Sequence, residues 1–292
     1  MANSIILGQQ FVPILDEVYQ LASLTSKLDG ALDLVRAGAN ANELIIPKLS
    51  MDGLGDYSRN SGYTDGDVTL TNETVKCNFD RGRMFTVDNM DNMETAGIAF
   101  GRLASEFIRT KVVPELDAFR FACYAGCSGI SKVEAGTSLE DGAAVVAALR
   151  TAITQMDESE VPLEERHLFI TPTLHGLVQD MDTTKSREVF NRFASVTEVP
   201  QTRFYTAITQ YDGATEGQII GGYVKAGTGL DINFMVIHRD ALIQFEKHVA
   251  PKIITPEMNQ NADAYKFGYR NVGIADIYEN KVAGIYLHHK AS

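Results

Sequence analysis

The stretch from Asp91 to Gly126, DNMETAGIAFGRLASEFIRTKVVPELDAFRFACYAG, constrains the fold more than any other part of the chain. Its spacing predicts one long helix with a break toward the far end. Asp91 is a candidate N-cap, and Glu94 three residues on completes a capping-box pattern. Ala96, Phe100, Leu103 and Phe107 recur at three- and four-residue steps and share one face, while Arg102, Glu106 and Arg109 take the other side. Pro114 disfavours helical backbone at Val113, so the break is expected there. Leu116, Phe119 and Cys123 resume an apolar stripe beyond it. From Asp91 to Val112 the rise is about 33 Å at ~1.5 Å per residue, long against the roughly dozen residues of an ordinary helix. Such a rod acts as a strut through the molecule.

The chain before the rod divides in two. Residues 1–42 read as an arm, with Phe11, Ile14, Leu15, Val18, Leu21 and Ala22 tracing an amphipathic helix and Pro13 in its first turn. Docking of this helix on its own domain and docking on a neighbouring copy are both open. Next, ELIIPKLS is a short strand that Pro47 confines to an edge or a strand end. MDGLGDYSRNSGYTDGD, from Met51 to Asp67, is loop chemistry. DVTLTNETVKCNFD and RGRMFTVD alternate as strands, with Val75, Cys77 and Phe79 on one face, and Phe85 and Val87 on one face further on. The whole is an extended two-stranded arm with a long polar tip. A lone two-stranded ribbon is marginally stable, so it needs a surface to lie on, and a neighbouring subunit fits that need. Pro47, Tyr57, Arg59, Tyr63, Arg81 and Arg83 are the candidate inter-subunit contacts.

After the rod, Ser138 is expected to cap a second helix, with Asp141 in the capping-box position and Val145, Leu149, Ala152 and Met156 as its buried stripe. HLFIT is a strand, and Thr171-Pro172 starts another helix. TEVPQTRFYTAI is a broken strand, Asp212 to Gly229 a Gly-rich surface loop, and INFMVIH a buried strand followed by a short helix from Asp240. Residues 138–245 therefore form a small α/β or α+β domain. KIITP, AYKFGYRNVGIADIYEN and KVAGIYLHH are closing strands that pack on the long helix, with Glu279-Asn280-Lys281 as the hairpin turn between the last two.

A net charge of −12 argues against tight salt-sensitive binding to DNA or anionic lipid, which needs clustered Lys and Arg. Cys77, Cys123 and Cys127 suggest a reducing compartment, and Cys123 and Cys127 read as small core thiols, since no His stands near them to complete a zinc site. No signal peptide is visible and no apolar run approaches the ~20 residues that span a membrane, so synthesis in a cytoplasm is expected. No catalytic constellation emerges. GTGLD at 227–231 lacks the Lys and Ser/Thr of a phosphate loop, and GCSG at 126–129 is one residue short of a nucleophile elbow. DNMDNME at 88–94 lacks the Gly and spacing of a calcium loop and reads as helix capping. His167 and His175 flank a strand-to-helix turn as a partly exposed pair, with Glu164 and Glu165 in a solvated turn. His288 and His289 point to opposite faces of a strand. No cofactor or metal is expected.

The order of parts resembles the major capsid protein of tailed bacteriophages, an α+β Hong Kong 97-type capsid fold shared with encapsulin shells. FDRGRMFTVDNMDNMETAG entering the helix, FIRTKVVPELDAFRF, EVPQTRFY, INFMVIHRDAL and YKFGYRNVGIADIYENKVAGIY are similar to such coat proteins, over about Asn42 to His288. The resemblance implies an N-terminal arm at 1–42, an extended loop at 43–90, a peripheral domain with the spine helix at 91–137, an axial domain at 138–245 and returning peripheral strands at 246–292. It implies pentamers and hexamers of one chain closing into an icosahedral virion shell around double-stranded DNA, made in the bacterial host cytoplasm, with a portal and without a membrane. Met1 starts the arm almost at once, which favours a separate scaffolding protein. Some members crosslink subunits through a loop Lys, but Met51 to Asp67 contains none, so no covalent crosslink is expected. The alternatives are an encapsulin-like compartment, a soluble α/β enzyme with a site near His167, His175 and Glu164, and a tail-tube protein.

Overall fold

The computed structural model describes residues 23–30, 36–37, 43–60, 62–94, 98–133, 135–181 and 188–291. The expected arm helix over 11–22 lies outside them, as do Ala96 and the side chain of Phe100. The chain opens with a 3-10 turn, Ser26–Leu28, and a two-residue strand β1, Arg36–Ala37. β2 (Glu43–Met51) and β3 (Val68–Lys76) form a hairpin, and β1 flanks β2 only opposite Leu44 and Ile45. Among the described residues Pro47 faces only Asn72 of β3, and an edge position of that kind tolerates a residue without an N–H donor.

β4 (Phe79–Asp88) does not continue the arm. It pairs antiparallel with β12 (Ala264–Ile277), whose other neighbour is β11 (Leu242–Ile254). The short helix expected after INFMVIH is one 3-10 turn, Arg239–Ala241, and KIITP is the end of the long strand β11. β-branched and aromatic residues carry that strand through its only proline, Pro251.

The helical region begins with α1 (Asn89–Glu94). The helix opens at Asn89, ahead of Asp91, and Asp88 meets its first turn, accepting from the Met90 N–H at 2.9 Å. α2 (Ile98–Phe107), a π-turn (Ile108–Val112) and α3 (Val113–Gly126) then run without a break. The expected break at Val113 is absent. The π-turn precedes Pro114, with the Val113 N–H donating to the Ile108 carbonyl, and this shift of register takes up the proline within the helix. From Ile98 to Gly126 the rod measures about 43 Å at ~1.5 Å per residue.

Beyond β5 (Ser131–Lys132), α4 spans Gly142–Glu158. Its cap is Asp141, which accepts from the Ala144 N–H at 2.7 Å; Ser138 lies outside the helix because the aspartate already fills the N-cap position. β6 (Arg166–Ile170) leads to α5 (Pro172–Gln179), which starts at Thr171-Pro172 as expected. β7 (Ser195–Glu198) and β8 (Ile208–Gln210) are the pieces of the broken strand. The Gly-rich stretch is not all loop, since β9 (Tyr223–Lys225) pairs back on β8. β10 (Ile232–His238) is central to a five-stranded sheet ordered β5-β13-β10-β6-β7, where β13 is Ile285–His289. Glu279-Asn280-Lys281 therefore does not close a hairpin. β12 and β13 lie in different sheets, and β13 pairs antiparallel with β10.

β10 is buried along its whole length, as its unbroken apolar run requires. Phe234 and Val236 face α4 and α5, packing with Val145, Leu149 and Ala152. Met235 and Ile237 face the opposite way, against Phe121 and Tyr124 of α3. The other end of the rod packs on the β4–β12 sheet through Ala104, Ile108, Val113 and Leu116. The strut thus joins two cores.

Candidate assembly surfaces

The residues able to do chemistry are dispersed. His167 is buried, not partly exposed, and its Nδ1 lies 2.8 Å from the Ser195 hydroxyl; burial lowers its pKa first, with the Lys27 charge adding to that. His175 pairs separately with Glu198 at 2.6 Å. His288 accepts or donates to Asn233 at 3.0 Å and stacks on Phe234, and burial pushes its pKa down to about 4. Burial pushes the Cys123 thiol up to about 12, and Cys127 is raised for the same first reason. No group of three or more His, Cys, Asp or Glu among the described residues is placed to hold a metal ion, and no described helix is long and apolar enough to cross a membrane.

Two surfaces stand out among the described residues. The first is the β2–β3 hairpin. Its register sets Leu49 opposite Leu70 and Met51 opposite Val68, so all four share one face. Each is more than half exposed. Beyond them, Tyr57 and Tyr63 meet edge to face at 4.9 Å between ring centres, around a turn in which Ser58 and Gly62 exchange backbone hydrogen bonds across Arg59. Tyr63 is 88% exposed and Leu54 fully so. The Asp52 carboxylate accepts from the Asp67 N–H at 2.9 Å and closes the base of the tip.

The second surface is an open crevice of about 1040 Å³ between the π-turn, one face of the β4–β12 sheet and the segment around β8 and β9. Its sheet wall follows the period of two. Phe79, Arg81, Arg83 and Phe85 alternate along β4, and across the register Phe85 faces Phe267, Arg83 faces Tyr269 and Arg81 faces Asn271. Arg81 and Arg83, expected on the arm, lie here because β4 pairs with β12. Arg81 bridges to Glu115 at 2.7 Å and donates to the Tyr211 carbonyl at 2.7 Å. Arg83 donates to the carbonyls of Ile219 and Ile220. These two side chains hold the 211–222 loop against the sheet. Gly213 and Gly221 are required in that loop: both have positive φ, and a Cβ on either would lie within about 3 Å of the Arg83 guanidinium.

A buried polar network fixes where the arm leaves. Asp117 and Arg120, on α3, are fully buried. Asp117 accepts from the hydroxyls of Ser23 and Thr25 at 3.0 and 2.7 Å and from the Leu24 N–H at 3.1 Å. Arg120 donates to Thr25 at 2.8 Å and pairs with Asp29 at 3.1 Å, while Gln244 donates to Asp29 at 2.7 Å. The sequence did carry a signal for this network, two charges three residues apart inside the apolar run LDAFRFA.

No family model and no curated protein matches the chain. Solved structures do. A structure from Mycobacterium phage Che8 superposes with a TM-score of 0.60 at 11% identity, over 91% of this chain and 90% of that one. The capsid structure of the cyanophage P-SCSP1u gives 0.58 at 13% identity, over 88% and 86%. A virus-like particle from Pyrococcus furiosus gives 0.57 at 10% identity, over 94% and 95%. An extended hairpin, a helical strut and two cores in this chain order define a shell-protein fold. It is the Hong Kong 97-type fold of tailed-phage major capsid proteins.

Proposed function

We propose that this chain is the major capsid protein of a tailed bacteriophage, a structural and non-enzymatic subunit that assembles into an icosahedral shell enclosing double-stranded DNA. The observation that carries the reading is agreement in backbone path over nine-tenths of the chain with phage capsid structures. The hairpin supports it independently: four apolar side chains on one face of β2–β3 are left in water, and a second copy of the chain covers them in a shell. The division into arm, 43–90 loop, 91–137 and 246–292 peripheral parts and 138–245 axial domain is carried with this reading, as are pentamers and hexamers, a separate scaffolding protein, a portal and a virion location. The acidic balance of −12 suits a container that confines DNA without releasing many of its counterions, and the inner face is expected to be neutral to acidic. Sedimentation and negative-stain microscopy of the purified chain, with its scaffolding protein, test the reading. Closed shells are expected; a persistent monomer or dimer overturns it. The nucleic-acid content of the shells separates a virion coat from a compartment like an encapsulin.

A further inference from the structure

We propose that the Ser195 hydroxyl is an activated nucleophile that accepts an acyl group from an activated ester. The proposal goes beyond the shell reading and does not depend on it. One acyl group per chain is transferred, so the subunit stays a structural one.

The site is assembled from segments far apart in the chain. β6 and β7 run parallel, and their register sets Ser195 beside His167 and Thr197 beside Phe169, on the face of the sheet that meets α3. Over that face lies the 3-10 turn Ser26–Leu28. Leu28 is sunk in the core and Thr25 is held by Asp117, so Lys27 is fixed between two anchored residues. Its ammonium lies 5.3 Å from the centre of the Phe169 ring and donates to the hydroxyls of Ser195, at 2.7 Å, and Thr197. Ser195 itself is half-buried.

The Ser195 Oγ therefore stands between a donor and an acceptor. Lys27 donates to it, and His167 Nδ1, 2.8 Å away, takes its hydrogen bond when the neutral ring carries its own proton on Nε2. Burial first, and the Lys27 charge second, lower the His167 pKa and keep the ring neutral at neutral pH. Nε2 is buried, makes no hydrogen bond and lies 3.4 Å from the Glu165 carboxylate. That contact is near enough for the charge to stabilise an imidazolium, and such contacts tighten when a reactant is bound. Glu165 reaches it from a left-handed backbone, φ 61°, the kind of strained non-glycine geometry that gathers at functional sites. Arg239, 3.9 Å from Glu165, is the remaining charge around the ring. A hydroxyl, a neutral base and an acid behind the base stand in line, with a cation beside the hydroxyl.

In the step, a lone pair of Ser195 Oγ attacks the ester carbonyl carbon and the hydroxyl proton passes to His167 Nδ1. Lys27 stabilises the negative charge that grows on oxygen. The bond from that carbon to the alcohol oxygen breaks, its electron pair leaves with the oxygen, and the Nδ1 proton follows. The products are O-acyl Ser195 and the free alcohol; nothing is oxidised or reduced.

The probe that tests this is p-nitrophenyl acetate, incubated with the folded full-length chain. Release of p-nitrophenol is followed by absorbance, and the acetylated positions are mapped by mass spectrometry. Ser50 and Ser128, both exposed, are references within the same molecule. Acetylation of Ser195 is expected to be roughly 100-fold faster than theirs, the gain that a positioned base supplies, and to lose that advantage in the urea-unfolded chain. His167→Gln should remove it as well. Because the His167 pKa is lowered, the Ser195 rate should hold level from about pH 8 to about pH 7 and fall only below about pH 6.5, where His167 takes up a proton beside Lys27, Glu165 and Arg239. A Ser195 rate equal to those of Ser50 and Ser128, acetyl groups on Lys27 in place of Ser195, or a rate that His167→Gln leaves unchanged overturns the proposal. The comparison with Ser50 and Ser128 needs no variant, so it decides even if His167→Gln does not fold.

Discussion

The five-stranded sheet and the β2–β3 hairpin are both made of strands rich in apolar residues, yet they use those residues in opposite ways. β10 is buried on both faces, between α3 on one side and α4 and α5 on the other. The hairpin leaves Leu49, Met51, Val68 and Leu70 in water. The difference follows from what the chain places nearby. The sheet is followed and preceded by amphipathic helices that return onto it, whereas among the described residues the hairpin packs on the body at its base, where Val75 meets Ile243, Phe245 and Ile274. One region holds the subunit together by itself. The other leaves apolar surface exposed. Substitutions should therefore sort into those that unfold the subunit and those that leave it folded but unable to associate.

The largest loss of subunit stability is expected at the joint between the cores. Asp117→Ala deprives Arg203 of its ion-pair partner at 3.3 Å and strips the Ser23, Leu24 and Thr25 donors of their acceptor. Removing one member of a buried charged network costs on the order of 3–5 kcal/mol. Chemical denaturation of the dissociated subunit measures it, and a loss under about 1 kcal/mol means that the arm is not held there. Next comes the sheet itself. Leu149→Ala opens a cavity under β10, where Leu149 has no exposed surface, and costs about 2–5 kcal/mol.

Acid is a milder probe of the same side. His288 titrates near 4 in the folded chain, lowered by burial first and by His289 second, against about 6.5 when unfolded. The unfolded chain binds the extra proton between those values, so the contribution is complete above about pH 6.5 and is lost as pH falls toward 4. The shift corresponds to at most about 3 kcal/mol. His288→Gln keeps a group able to bond to Asn233 and removes the titration, so its denaturation midpoint should be flatter over this window. An unchanged slope assigns the acid sensitivity elsewhere, with His167 and His238, both lowered by burial, the next residues to test.

Legibility in the sequence followed the locality of the signal. Helix α4, the strand INFMVIH and the Thr171-Pro172 start show in periods and caps that lie within a few residues of each other. The rod was visible too, but its break was not where Pro114 suggested, because a π-turn several residues upstream absorbed the proline. What stayed hidden depended on partners far along the chain. Arg81 and Arg83 read as arm residues until β12, almost two hundred residues later, claims β4. β13 reads as a hairpin partner of β12 until it joins β10. For the surfaces, the exposed tyrosines of the tip were legible from the polar loop around them. Asn271 was not, although its parity with Phe267 and Tyr269 along β12 puts it on their face, the face that meets the rod.

The smallest expected effect on stability is the sharpest test of the comparison. Leu70→Ser alters a side chain that is 67% exposed, on a hairpin that no helix among the described residues covers. If the hairpin's apolar face is there for another subunit, unfolding of the dissociated chain should move by no more than about 0.5 kcal/mol. The concentration needed for assembly, read by light scattering, should rise roughly 10-fold, since each copy loses a buried apolar contact at its interface. A stability loss as large as that of Leu149→Ala would mean that the face is covered within its own chain. An unchanged assembly threshold would mean that the face is not used between chains. Either result erases the distinction between the two regions, because the hairpin would then be a second self-contained core or an idle surface.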